Sequence, residues 1–254
     1  MSGGWRRHAI DLSPLQHPDY RRLWAGNGIA FLGFQVTAVA VPVQVYDITR
    51  SSFWVGMIGA VGLVPLVVFG LWGGAIADAM DRRRVLVVGS VTLWVSTLGL
   101  LVHSLVGGES VGVLLALVAL QSGAFAVASS TRGAVIPRLV PPEEIAAANT
   151  LGFTTSNVGM MAGPLLAALI ITQSSLTAAY AVDAVLFFAA FYAAIRLPHL
   201  PPLGQTTAPG LRSVFDGLAF IATRPVLLLS FAVDIVAMVF AMPRALFPAR
   251  AEEL

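Results

Sequence analysis

Cysteine is absent, which excludes a disulfide framework and a thiolate metal site. Lysine is absent as well, so every basic side chain other than histidine is arginine. Charge of either sign is scarce: 11% of the residues are Asp, Glu, Lys or Arg, against roughly a quarter in soluble domains. The 4 histidines are scattered without metal-ligand spacing. No paired catalytic acid, Ser/His arrangement or phosphate loop gathers at one membrane depth, so no enzyme, cofactor or metal is expected. The basic residues sit beside apolar runs instead of forming a groove, so no nucleic-acid partner is expected either. Residues 1–20 are polar and basic without an early apolar core, so no cleaved signal peptide is expected.

What the chain has in abundance is hydrocarbon. Of its 254 residues 57% are hydrophobic, and the mean hydropathy is +0.83. A run of about 20 apolar residues spans a bilayer as a helix. Seven runs qualify, over 23–45, 53–77, 85–106, 111–130, 147–172, 176–195 and 226–247. The expected fold is an all-α integral membrane protein: a six-helix bundle, an interfacial helix and a seventh transmembrane helix. Residues 1–20 form an amphipathic lead, 21–196 the bundle, 197–225 a linker with an interfacial helix, and 226–254 the seventh helix with a short tail. The linker is marked by Pro198, Pro201, Pro202, Pro209 and Gly210, and Pro142 with Glu143 and Glu144 marks the start of the fifth helix.

Placing the first residue in the cytoplasm puts Arg6, Arg7, Arg21, Arg22, Arg82, Arg83, Arg84, Arg132, Arg138, Arg196, Arg212 and Arg224 on that side. Only Arg50, Arg244 and Arg250 are then left outside. Cytoplasmic loops are the arginine-rich ones, and this asymmetry sets the expected topology.

Four segments carry more than topology. Gly73 to Arg84 joins a glycine-lined helix end to a cluster of acid and arginine, with Gly74, Ala77, Asp78, Asp81, Arg82 and Arg83 at its centre. Gly73 and Gly74 permit close helix approach, and Asp78 can pair with a loop arginine or face a helix N-terminus. A plain topogenic cluster would account for the arginines alone. The segment resembles the loop between helices two and three of major facilitator transporters, Gly-x-Leu-Ala-Asp-Arg-x-Gly-Arg-Arg/Lys, with Ala79 and Asp81 as departures. The stretch from Ser130 to Leu151, with Arg132, Arg138 and Pro141-Pro142-Glu143-Glu144, is similar to the helix-four-to-five connection of the enterobactin-exporter and macrolide-efflux branch of that superfamily. Gly159, Gly163 and Pro164 resemble the core of the exporter motif in helix five, although small-residue packing alone also explains the glycines. The seventh run, from Asp234 to Pro248, is similar to the same branch.

Ionisable groups inside a bilayer are costly and face protein or water. Asp183 and Asp234 are therefore candidates for a proton-carrying role, with a structural pairing equally open. Asn27, Gln35, Gln44, Gln121 and Asn157 are candidate cavity residues, with helix-to-helix hydrogen bonds as the other reading. Trp24, Trp54 and Trp72 lie near run ends and read as interfacial anchors.

The resemblance implies a bacterial cytoplasmic membrane exporter of a drug or siderophore, proton-coupled, whose two halves rock about a central site. Its partners would be the lipid bilayer, a small molecule and protons. Gly74, Asp78, Asp81, Arg82, Arg83, Arg132 and Arg138 would form a conformational gate. Relatives of that branch carry twelve spans, so the chain is expected to be an incomplete copy that needs a C-terminal half or another copy. A non-transporting or assembly-dependent membrane protein is the competing reading.

Overall fold

The computed structural model describes residues 11–201 together with 223, 224, 229, 230 and 233, without the side chains at 74, 75, 77 and 78. Six long helices dominate: α1 (Pro18–Thr49), α2 (Ser52–Ala79), α3 (Arg82–Leu105), α4 (Val111–Val135), α5 (Ile145–Gln173) and α6 (Leu176–Ile195). No strand occurs among the described residues. All six are long and apolar enough to cross a membrane, and in hydrocarbon a helix is one of the few forms that satisfies its own backbone. Most of the expected seventh helix, Asp234 included, lies outside the described residues, as does most of the expected linker.

Local chemistry sets the helix ends. Pro18 occupies the first turn of α1, where its missing N–H costs nothing, and Arg50 closes that helix in the left-handed region at φ 50°. Asp81 caps α3, its carboxylate accepting from the backbone N–H of Arg83 at 2.8 Å and of Arg84 at 3.4 Å. Ser175 caps α6 through the N–H of Ala178 at 3.1 Å. Pro42, Pro65 and Pro164 lie inside α1, α2 and α5, as membrane helices tolerate.

Apart from α3 and α4, consecutive helices barely touch. The principal contacts run α2–α4, α4–α3, α3–α6, α6–α1 and α1–α5, so the bundle is threaded in an order that chain sequence does not suggest. Advancing every helix by three places maps this set onto itself: α2–α4 becomes α5–α1, α3–α4 becomes α6–α1, and α3–α6 is unchanged. Helix direction alternates along the chain, so the unit is an inverted repeat of two three-helix parts. Half of the most apolar stretch of α1 is buried, but only 11% of that of α2 and 17% of that of α5. The two sparsely covered helices lie at the ends of the packing order.

Two large apolar clusters fill the interior, beside a smaller one of Tyr20, Val140, Ala148 and Leu151. One, at the end of the bundle that carries most of the arginines, is built on Leu23, Leu86, Leu93, Val135 and Phe187. The other, at the Arg50 end, is built on Val36, Val45, Leu100, Leu114 and Tyr180. Leu197 and Leu200 belong to the first cluster, so the chain beyond α6 folds back onto the bundle on both sides of Pro198. Lipid is as apolar as these side chains, so the clusters hold by close packing rather than by expulsion of water.

Candidate functional site

Because α1 packs on α5 and α6 while α4 packs on α2 and α3, α1 and α4 diverge, and a cavity of about 370 Å³ opens between them at the arginine-rich end. Its walls come from the first turns of α1 and α5 and the last turns of α4, with Ser90 and Leu93 of α3 and Phe187 and Ala190 of α6 behind. The exposed Asn149 and Phe153 border its mouth. Arg132 is the one charged residue in the lining. Its Nη1 donates to Asn27 Oδ1 at 3.5 Å, at the weak limit of a hydrogen bond, and its guanidinium lies 5.8 Å from the centre of the Phe125 ring. Phe125 stacks on Phe34 at 5.1 Å, and Phe34 on Phe31 at 6.2 Å. Trp24 also lines the cavity, and its enclosed indole Nε1 has no hydrogen-bond partner among the described residues. The interfacial anchor expected at Trp24 is a cavity wall.

A second polar feature lies deeper, between the two large apolar clusters. Asp183 of α6 is fully buried. Its Oδ2 accepts from Thr37 Oγ1 of α1 at 2.6 Å and from Thr97 Oγ1 of α3 at 3.2 Å. Thr97 Oγ1 in turn accepts from Gln121 Nε2 of α4 at 3.3 Å. The other carboxyl oxygen, Oδ1, has no partner among the described residues and lies against Gly33, where any Cβ would collide with it. Three helices thus meet on one carboxyl, and a fourth, α4, joins it through Thr97. Two turns further along α1, Tyr180 Oη donates to Gln44 Oε1 at 2.7 Å, and Gln44 Nε2 faces His103 Nδ1 at 3.4 Å.

The candidate residues do not form one site. Asn27 and Arg132 line the cavity, and Gln121 joins Asp183. Gln44 serves the Tyr180 layer. Gln35 packs beneath Gly163, and Gly159 packs over the Phe31 ring, so this glycine pair faces α1. Pro164 is exposed, and so is Asn157, which bonds to the Phe153 carbonyl of its own helix at 2.9 Å. The residues expected to form a gate also divide. Arg132 points into the cavity, and Arg138 Nη1 donates to the Pro201 carbonyl at 3.1 Å. Arg83 Nη2 donates to the Ile195 carbonyl at 2.7 Å, and the Arg82 N–H donates to the Leu200 carbonyl at 3.2 Å. The second carboxylate oxygen of Asp81 meets His199 Nδ1 at 2.7 Å. Burial disfavours the charge on Asp81, but the bonds from His199 and from the Arg84 and Arg83 amides outweigh it and hold the carboxyl below its ordinary value. Asp81 and its arginines therefore clasp the chain that continues from α6. Gly74 and Asp78 belong to α2, and their side chains lie outside those described.

The threonines around Asp183 and the aromatic wall carry no distinguishing mark in the sequence. Phe31 and Phe34, three apart and beginning one turn beyond Asn27, are the only sequence sign of that wall, and it is a weak one.

Residues 9–248 match the family model described as transmembrane secretion effector. The chain belongs to this family. This is a family of multi-pass membrane proteins of the major facilitator superfamily, and the chain is similar to its enterobactin-exporter branch. Over 222 residues it is 28% identical to the enterobactin exporter EntS of Shigella boydii serotype 18 and to that of Escherichia coli O1:K1. Each alignment covers 85% of this chain but 52% of the relative. The chain spans about half the length of the curated relatives it matches.

Proposed function

We propose that this transmembrane secretion effector is one half of a rocking-bundle exporter that moves a small organic molecule out of the cytoplasm in exchange for protons. The observation that carries the reading is the cavity between α1 and α4, at the junction of the two inverted three-helix parts, where such transporters hold substrate. The arginine-rich end is the cytoplasmic end in this reading, because that is where basic loops stay. The mouth at Asn149 and Phe153 then admits substrate from inside the cell. A second six-helix unit, in the same polypeptide or another, closes the site and covers the exposed flanks of α2 and α5. Drug and siderophore molecules are the substrate classes in view, the second because the relatives are enterobactin exporters.

Asp183 is the proton carrier in this reading. It is the one fully buried acid among the described residues, it joins three helices directly and a fourth through Thr97, and one of its oxygens lacks a partner. A proton gained or lost there changes which of Thr37 and Thr97 it holds, and so couples to the packing of α1 against α3 and α6. The clasp of Asp81, Arg82 and Arg83 on the segment after α6 acts as the conformational lock, with Asp78 and Gly74 on the adjoining helix end.

Everted membrane vesicles containing the protein test the proposal. An inward-acid pH gradient is expected to drive uptake of substrate, and Asp183→Asn is expected to cut gradient-driven uptake about tenfold or more while substrate binding persists. Gradient-independent uptake would remove the proton from the scheme. A folded protein that moves nothing would leave a non-transporting assembly module.

A further inference from the structure

Two donors of the cavity lining are weakly paired or unpaired among the described residues. A guanidinium carries five N–H groups in a planar fork, and Arg132 uses one of them, weakly, on Asn27. The indole N–H of Trp24 is unpaired among the described residues. No carboxylate among the described residues lines the space. Nearby acids are engaged elsewhere: Glu144 with His17 at 3.0 Å and Asp19 with Arg22 at 3.1 Å. The stacked Phe31, Phe34 and Phe125 rings form a flat face that runs up to the guanidinium. The volume, about 370 Å³, lies in the range of sites that take drug-sized ligands.

We propose that this cavity selects a flat aromatic acid, binding the anionic group with Arg132 and Trp24 Nε1 and stacking the aromatic body on the phenylalanine face. The proposal rests on the exporter reading only for the transport step, and not for binding itself. An anion supplies the acceptors that Arg132 and Trp24 lack, and a carboxylate or paired phenolate oxygens match the fork in two-pronged fashion. A cationic ligand would bring a like charge to a guanidinium that no acid offsets. A neutral aromatic amide would stack and offer its carbonyl to the donors, but without the charge that strengthens the bond to a guanidinium. The site therefore discriminates by charge first and by flatness second.

The test is binding to the full chain in nanodiscs of three ligands with the same ring: 1-naphthoate, 1-naphthamide and 1-naphthylmethylamine. Naphthoate is expected to bind about tenfold or more tightly than either of the others, the size of one charge-assisted hydrogen bond. Arg132→Gln is expected to bring the three affinities together, Arg132→Lys to keep part of the preference, and Arg138→Gln, outside the cavity, to keep all of it. Should Arg132→Gln fail to fold, Arg132→Lys and Phe34→Ala carry the test, the second weakening all three ligands without changing their order. Equal binding of the three by the unaltered protein, tighter binding of the amine, or an undiminished preference in Arg132→Gln would overturn the proposal. Flux in everted vesicles separates this from the exporter reading. An amine bound and exported sinks the anion site and keeps the exporter. Naphthoate bound but never transported keeps the site and sinks the exporter.

Discussion

Threonine hydroxyls in membrane helices usually return to the carbonyl four residues back in their own helix. Thr92, Thr131, Thr150, Thr154, Thr155 and Thr172 all do so here. Thr37 and Thr97 instead give their protons to Asp183. An intramembrane acid stands out in a sequence because its insertion cost is high, and so Asp183 was legible. Its threonine partners were not, because nothing in the chain tells a threonine that bonds across helices from one that bonds within its own. The same holds for Tyr180, whose hydroxyl reads as generic until Gln44 is seen opposite it. Replacing Tyr180 with Phe leaves Gln44 Oε1 without its donor. The expected loss is about 1 kcal/mol, between the value for a stranded buried acceptor and the lower average found inside membranes, read as a fall in thermal stability in nanodiscs. Gly33→Ala is expected to cost more, because the new methyl must displace the Asp183 carboxyl itself.

At the scale of elements, α3 depends on Asp81. Asp81→Ala removes the cap and the contact to His199 together, and about 1 kcal/mol of stability is expected to go with the cap alone. The direction of the shift sets the pH dependence. The folded-state value of Asp81 lies below its ordinary one, so its contribution is complete above the ordinary value and is lost as pH falls through the folded value. Acidification from about pH 5 to about pH 3 should therefore lower the melting temperature of the natural protein more than that of Asp81→Ala. The glycine pair of α5 shows where reading by element stops. Its spacing announces close packing, but the partner is chosen by tertiary structure, and here it is α1, with Gln35 beneath Gly163. Gly163→Leu is expected to separate α5 from α1 and lower stability by a few kcal/mol, at the upper end of overpacking penalties. The six span positions came through because each is written as a local run of hydrocarbon. The fold-back of Leu197 and Leu200 did not, because the prolines around them signal a linker and two leucines are too few to signal a core.

Over the whole molecule, the packing order α2–α4–α3–α6–α1–α5 is invisible in the sequence, because consecutive helices other than α3 and α4 are not neighbours and the packing faces are as apolar as the lipid faces. The arginine asymmetry, by contrast, is written in the chain, and it is the ground on which the proposal places the cavity mouth in the cytoplasm. Topology, cavity and ligand chemistry meet in one experiment, made simple by the absence of cysteine. Ser156, in the cavity wall, is replaced by Cys and exposed to a membrane-impermeant maleimide in everted and right-side-out vesicles. Labelling in everted vesicles alone, slowed by 1-naphthoate and unaffected by 1-naphthylmethylamine, is the result expected of an arginine-lined cavity open to the cytoplasm. Labelling from the outside, or labelling from the inside that naphthoate leaves unchanged, would contradict it.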